Sequence, residues 1–173
     1  SHEDYTYNNE VGGPSYYYYN EQELLDKKIF VHSDSITTST SYNYDIEGKL
    51  VSSMRNNSDS SIIKFDYVYD KNNNLIARNY FKEGTNCGFE SYLYNSDGEL
   101  IKAYLKNADG WITGTINFQS DELGNVTCGE LKGENGFNAS LIFSYNSDGL
   151  LSEIMWNFSF GKFQRYNFEY EHF

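Results

Sequence analysis

The sequence predicts an all-β protein: an antiparallel meander of about thirteen short strands, built from 25-residue hairpin repeats and curled or closed into a barrel-like sheet with a Tyr/Phe interior. Three observations predict it. A polar turn signature returns at a fixed period along nearly the whole chain. Apolar and polar residues alternate in the stretch before each turn. Aromatic residues make up 18% of the 173 residues, against one proline and two methionines, a composition that favours strands over helices.

The period is read from the turns. They are "YNEQELL" at Tyr19, "YDIEGKL" at Tyr44, "YDKNNNL" at Tyr69, "YNSDGEL" at Tyr94, "SDELGNV" at Ser120 and "YNSDGLL" at Tyr145, with a shortened "YEHF" at Tyr170. Successive starts lie 25 residues apart, with one step of 26 between Tyr94 and Ser120. A period held through so many copies marks one recurring supersecondary unit. The chain divides into a flexible N-terminal segment over 1–14 and a single β-repeat domain over 15–173, of about seven units.

Within each unit the residue types follow from turn chemistry. Asp45, Asp70, Asn95, Asp121 and Asn146 stand where a short side chain accepts hydrogen bonds from the turn's own amides. Three residues later come Gly48, Asn73, Gly98, Gly124 and Gly149, the types that tolerate positive φ. This spacing predicts a type I turn with a bulge. Leu25, Leu50, Leu75, Leu100, Val126 and Leu151 then open the return strand. Before the turns, Tyr17, Tyr42, Phe65 and Tyr67, Tyr92, Ile116 and Phe118, Leu141 and Phe143, and Tyr166 and Phe168 alternate with polar residues, the mark of half-buried antiparallel strands. Looser loops such as "RNNSDSS", "KEGTNCG", "KNADG" and "KGENG" join the units. "NEQELLDKKIF" also fits a capped helix, with Asn20 as cap and Glu23 three residues on, but its register with the other copies favours a strand.

One aromatic face on so many strands must be covered, and no helical element is available to cover it. The sheet is therefore expected to curl around its tyrosines, with a partly hydrated core in which hydroxyls find partners or water. The first strand, "SYYYYN", and the last, "FQRYNFEYEHF", are expected to meet and remove both edges.

The pattern Y-[DN]-x-x-[GN]-x-L in these copies resembles the YD repeats of Rhs and toxin-complex proteins, and the repeats of certain surface lipoproteins of gut bacteria. In large members of that family, repeats wind into a hollow β shell around a passenger polypeptide. The resemblance implies a β-hairpin repeat fold and a bacterial, secreted or cell-surface setting. Its unit is longer than theirs, and it implies no particular task.

The net charge of −12 repels phosphate backbones and anionic membranes, so nucleic acid is not an expected partner and membrane insertion of the domain is not expected. His2, His32 and His172 lie in no nucleophile motif, and no carboxylate pair stands apart from the repeat, so no catalytic residue is assigned and an enzyme is not expected. The Asp/Asn row of the turns is explained by turn chemistry, and neither metal nor cofactor is expected. Cys87 and Cys128 form no metal motif, and their pairing is left open. Tyr80, Tyr104, Trp111 and Trp156 fall among the aromatics in excess of the alternating face and form a possible ligand platform, or else a second core layer. The expected function is a non-enzymatic, extracytoplasmic scaffold or protein-interaction surface. Alternatives are a carbohydrate-binding module using the surplus aromatics and an acidic immunity or inhibitor protein.

Overall fold

The computed structural model describes residues 2–7, 10–11, 13–33 and 36–169. Its strands are β1 (His2–Tyr7), β2 (Glu10–Val11), β3 (Ser15–Tyr19), β4 (Leu25–Ser33), β5 (Ile36–Tyr44), β6 (Leu50–Asn56), β7 (Ile62–Tyr69) and β8 (Leu75–Lys82). They continue as β9 (Thr85–Tyr94), β10 (Leu100–Lys106), β11 (Ile112–Ser120), β12 (Val126–Gly133), β13 (Asn138–Tyr145), β14 (Leu151–Phe158) and β15 (Phe163–Glu169), with one 3-10 turn over Glu134–Gly136. The thirteen strands from β3 to β15 form an unbroken antiparallel meander in chain order. The segment "NEQELLDKKIF" is a turn followed by β4, in keeping with its register in the repeat.

The turn rule operates more widely than its tyrosine-marked copies. Asp45, Asp70, Asn95, Asp121 and Asn146 each donate their backbone N–H to a carbonyl four residues on, and their own carbonyl accepts from the residue at positive φ. The "RNNSDSS" and "KNADG" segments, expected as looser loops, close in the same way at Asn57–Ser61 and Asn107–Trp111, with Ser60 at φ 66° and Gly110 at φ 84°. Both ends of the sheet therefore carry tight turns. The β8–β9 connection is tighter still, with Glu83 and Gly84 both at positive φ.

Each tyrosine-marked hairpin also contains a slip in register. Tyr44 opposes Leu50 while Asn43 opposes Ser52, so Val51 has no partner. The same slip leaves out Asp26, Ile76, Ile101, Thr127 and Ser152. Such a bulge bends its strand and increases local twist. Repeated once per unit at the same end, it curls the sheet. The extent of the curl is visible at Tyr166 of β15, which lines one cavity together with residues of β4 to β8. β8 lies seven strands from β15, about 34 Å across a flat sheet.

Two features of the edges differ from expectation. Residues 1–14 were expected as a flexible lead-in, yet His2–Tyr7 pairs with β15 from His2↔Glu169 to Tyr7↔Gln164, and Glu10–Val11 pairs back onto β1. The outer edge of β15 is thus taken by β1, not by β3. Six residues of alternating sequence satisfy an edge of unpaired N–H and C=O groups that would otherwise stay open. β3 hydrogen-bonds only to β4 among the described strands, so the sheet curls without closing, although Cα atoms of β1 come within 8 Å of β3. Tyr170 and His172 lie outside the described residues.

The inner face carries the aromatics as the alternation requires, but none of them is fully buried. The buried cluster is aliphatic: Ala103 at 1% exposure, Ile116, Leu131, Ala139 and Leu141 at 4%, on β10 to β13. Tyr92, Phe118, Phe143, Trp156 and Phe158 pack around it, half-buried. In a sheet that curls without closing, small and branched side chains fill the centre of the packed region while the larger rings border it and stay partly exposed. Among the described residues no helix is long and apolar enough to cross a membrane.

Candidate binding site in the curl of the sheet

The Asp/Asn row is structural in its local chemistry. Oδ1 of Asn20, Asp45, Asp70, Asn95, Asn107, Asp121 and Asn146 each accepts two backbone N–H groups, from the residues two and four positions on, at 2.8 to 3.1 Å. The backbone N–H of Asn74, with help from the Asn74 side chain, holds the Asp70 carboxyl below the usual range, and Asn125 does the same for Asp121. Lys49 donates from Nζ to Asn73 Oδ1 at 2.6 Å, linking neighbouring turns. Gly48, Gly98, Gly124 and Gly149, and Asn73 among non-glycines, hold the positive φ values expected of them.

The tyrosine that opens the motif has a role beyond core packing. The hydroxyls of Tyr44, Tyr94 and Tyr145 donate to the carbonyls of Leu25, Leu75 and Val126, at 2.8, 2.9 and 2.9 Å. Each reaches back 19 residues to the first residue of the preceding return strand. Burial first, and nearby negative charge second, raise the pKa of all three. At these three joints, two units apart, the motif ties a unit to the one before it through a hydroxyl that phenylalanine lacks.

The four residues of the possible platform are not brought together. Tyr80 is on the inner face of β8, with its ring 5.6 Å from that of Phe65 and stacked on it. Trp156 is also on the inner face, where it stacks with Phe158 at 6.2 Å, and Phe158 stacks with Phe160 at 5.3 Å; these rings border the aliphatic cluster. Tyr104 lies on the opposite face from the buried Ala103, between Lys102 and Lys106 at 5.0 and 5.9 Å from its ring. Trp111 sits in the β10–β11 turn, 74% exposed. Cys87 on β9 and Cys128 on β12 are both free thiols.

What the curl does bring together is a cavity of about 760 Å³ on the inner face of β4 to β8, faced by Tyr166. Cross-strand register explains its lining. Lys28, Thr40 and Arg55 are direct neighbours across β4, β5 and β6, and Tyr42, Ser53 and Phe65 form the adjacent row across β5, β6 and β7. Ser53 is buried and its hydroxyl is 3.0 Å from that of Tyr67. His32 Nε2 lies 2.8 Å from Thr38 Oγ1, and its ring meets Phe30 edge-on at 4.5 Å. At the far wall Arg78 Nη2 donates to Glu90 Oε1 at 2.7 Å while its guanidinium lies 4.9 Å over the Phe65 ring. Tyr92 donates its hydroxyl to the other Glu90 oxygen. Burial, then the Glu90 charge, pushes the Tyr92 pKa up, so its proton stays in place.

None of these polar lining residues was singled out as a site from sequence. The signal was present, because Arg55 shares the inward face of β6 with Ser53, and Arg78 shares that of β8 with Tyr80. A cation at an inward position costs desolvation energy unless something compensates it.

No protein-family model matches the chain, and no curated protein matches it in sequence. Among solved structures, a porin-like protein from Bacteroides uniformis is similar over 98% of this chain and 96% of its own, at 10% identity and a TM-score of 0.47. The crystal structure of TcdB2-TccC3-Cdc42 is similar over 90% of this chain, at 10% identity and a TM-score of 0.37. The Photorhabdus luminescens Tc holotoxin pore is similar over 84%, at 12% identity and a TM-score of 0.42. The chain spans 10% of the length of each of the two toxin-complex chains.

Proposed function

We propose that the chain is a non-enzymatic, extracytoplasmic binding scaffold that takes a small saccharide-like ligand into the curl of its sheet. The observation that carries this reading is the cavity of about 760 Å³. Its size falls within the range of small-molecule sites, and a few convergent polar groups among aromatic walls are what such sites require. Phe30, Tyr42, Phe65 and Tyr67 offer ring faces and edges, while Thr38 and Thr40 offer hydroxyls. Glu90, behind the lining, is engaged by Arg78 and Tyr92. An array of neutral and acidic oligosaccharides, run beside a hydrolase panel, tests the reading. Binding without turnover is expected, and Thr40→Trp should abolish it with an unchanged circular dichroism spectrum. Turnover that is lost in His32→Ala would overturn the non-enzymatic reading, and binding indifferent to Thr40→Trp would remove the cavity from it.

A protein partner is a second reading, favoured by the outer face of β3. Tyr16, Tyr18 and Tyr19 there are 51%, 50% and 55% exposed, and aromatic side chains gathered on one exposed face are what a partner surface offers. Tyr16→Ser combined with Tyr18→Ser would remove that surface without entering the cavity, so loss of a partner only in that variant would favour it.

A further inference from the structure

We infer that the cavity selects a negatively charged saccharide, one bearing a carboxylate that Arg55 receives; this rests on the binding reading above. The protein carries a net charge of −12, yet the described residues that line the cavity include Lys28, Arg55 and Arg78, and its nearest carboxylate, Glu90, lies behind Arg78 and is paired with it. The local sign is therefore opposite to that of the molecule. Two of the cations are already occupied: Arg78 holds Glu90, and Lys28 Nζ lies 5.2 Å over the Tyr17 ring. Arg55 differs from both. Its Nε is buried and has no hydrogen-bond partner among the described residues.

A buried guanidinium donor without an acceptor is costly, and charged groups in that state are the costliest. Arg55 is held there by its strand register, between Thr40 of β5 and the buried Ile63 of β7. Nε with one terminal nitrogen forms the fork that matches a planar carboxylate through two parallel hydrogen bonds. The neighbours suit the remainder of such a ligand. Thr40 supplies a hydroxyl directly beside Arg55, and Lys28 lies beyond it, two strands away at about 10 Å. The rings of Tyr42 and Phe65 occupy the adjacent row for the apolar face of a sugar ring. An anion seated on Arg55 satisfies the orphaned donor and balances a cation that the folded chain leaves unmatched.

Isothermal titration of the whole chain with tri-galacturonic acid, and with the same trimer as its methyl ester, tests this. The two probes share their rings and differ in charge. The acid should bind about ten-fold or more tightly than the ester, the scale of a charge-assisted hydrogen-bonded pair, and should weaken as salt is raised. Arg55→Gln should reduce acid binding to the level of the ester, with thermal melting checked for the variant. Acid binding unaffected by Arg55→Gln would overturn the inference. Equal binding of acid and ester would overturn the charge selection while leaving the saccharide reading intact. Binding of neither would remove that reading and the inference with it.

Discussion

The hydroxyls of Tyr44, Tyr94 and Tyr145, each tying its repeat to the preceding one, make a quantitative test. Tyr44→Phe, Tyr94→Phe and Tyr145→Phe each remove one oxygen and keep the ring, so packing on the inner face is preserved. What is lost is a hydrogen bond of 2.8 to 2.9 Å to the carbonyl of Leu25, Leu75 or Val126. A neutral bond of this kind contributes about 0.5 to 1.5 kcal/mol net, and a carbonyl left half-buried without it pushes the cost towards the upper end. The three donors lie on β5, β9 and β13, four strands apart, or about 19 Å at ordinary strand spacing. Sites at that distance add. The triple variant should therefore lose roughly 3 kcal/mol in urea denaturation followed by fluorescence, with an unchanged far-ultraviolet spectrum and each single variant accounting for about a third. A triple variant as stable as the parent would show that the hydroxyls are solvated at no net gain, and that the tyrosines recur for their rings alone. A single variant carrying the whole loss would refute the equivalence of the repeats.

Other outcomes follow from the same geometry. Gly98 stands at φ 85° with open space where a Cβ would go, so Gly98→Val should cost about 1 to 3 kcal/mol through backbone strain alone; an unchanged melt would show that the turn is not held there. From neutral pH upward, stability should hold to about pH 10 and fall above it, because Tyr44, Tyr69, Tyr92, Tyr94 and Tyr145 have pKa values raised by burial. The folded state then holds protons that the unfolded chain releases near its ordinary value of about 10, and a urea midpoint constant to pH 11.5 would contradict it. Trp111→Ala should change stability by no more than about 0.5 kcal/mol, since the ring is largely in solvent; a larger loss by calorimetry would mean that the turn packs more closely than described.

The repeat and the inner face were legible because local chemistry specifies both. Asp45 and Gly48 announce a turn without reference to anything distant, and Phe65 and Tyr67 announce a face by alternation. The "RNNSDSS" turn was harder to read, because Ser60 stands at the positive φ position where glycine would have signalled it. The turn and its bulge at Gly48 were readable, but the further slip inside the return strand was not, since Val51 and Ile76 look like ordinary strand residues and only pairing reveals that they have no opposite number. The partner of β15 was missed for a related reason: edge pairing depends on where the curl brings the two ends, and nothing in residues 2–7 states it. The site shares this property. Tyr80 and Trp156 were chosen as large aromatics in excess of the repeat, whereas the cavity is defined by the curvature that sets Tyr166 opposite β4 to β8, and curvature is a sum over units.

The reach of Tyr94 back to Leu75 also bears on how such a chain can change in length. Every bond of this kind runs between one unit and its immediate predecessor, and every bulge lies inside a single hairpin. Because the three joints lie two units apart, duplication or excision of a two-unit block would rebuild them unaltered, and stability would change in increments, as in linear arrays of modules. Gain or loss of a few residues within a block would misplace one hydroxyl against its carbonyl. Whole-block changes of length would thus be the ones the fold accommodates, each resetting the breadth of the sheet and with it the width of the space it curls around.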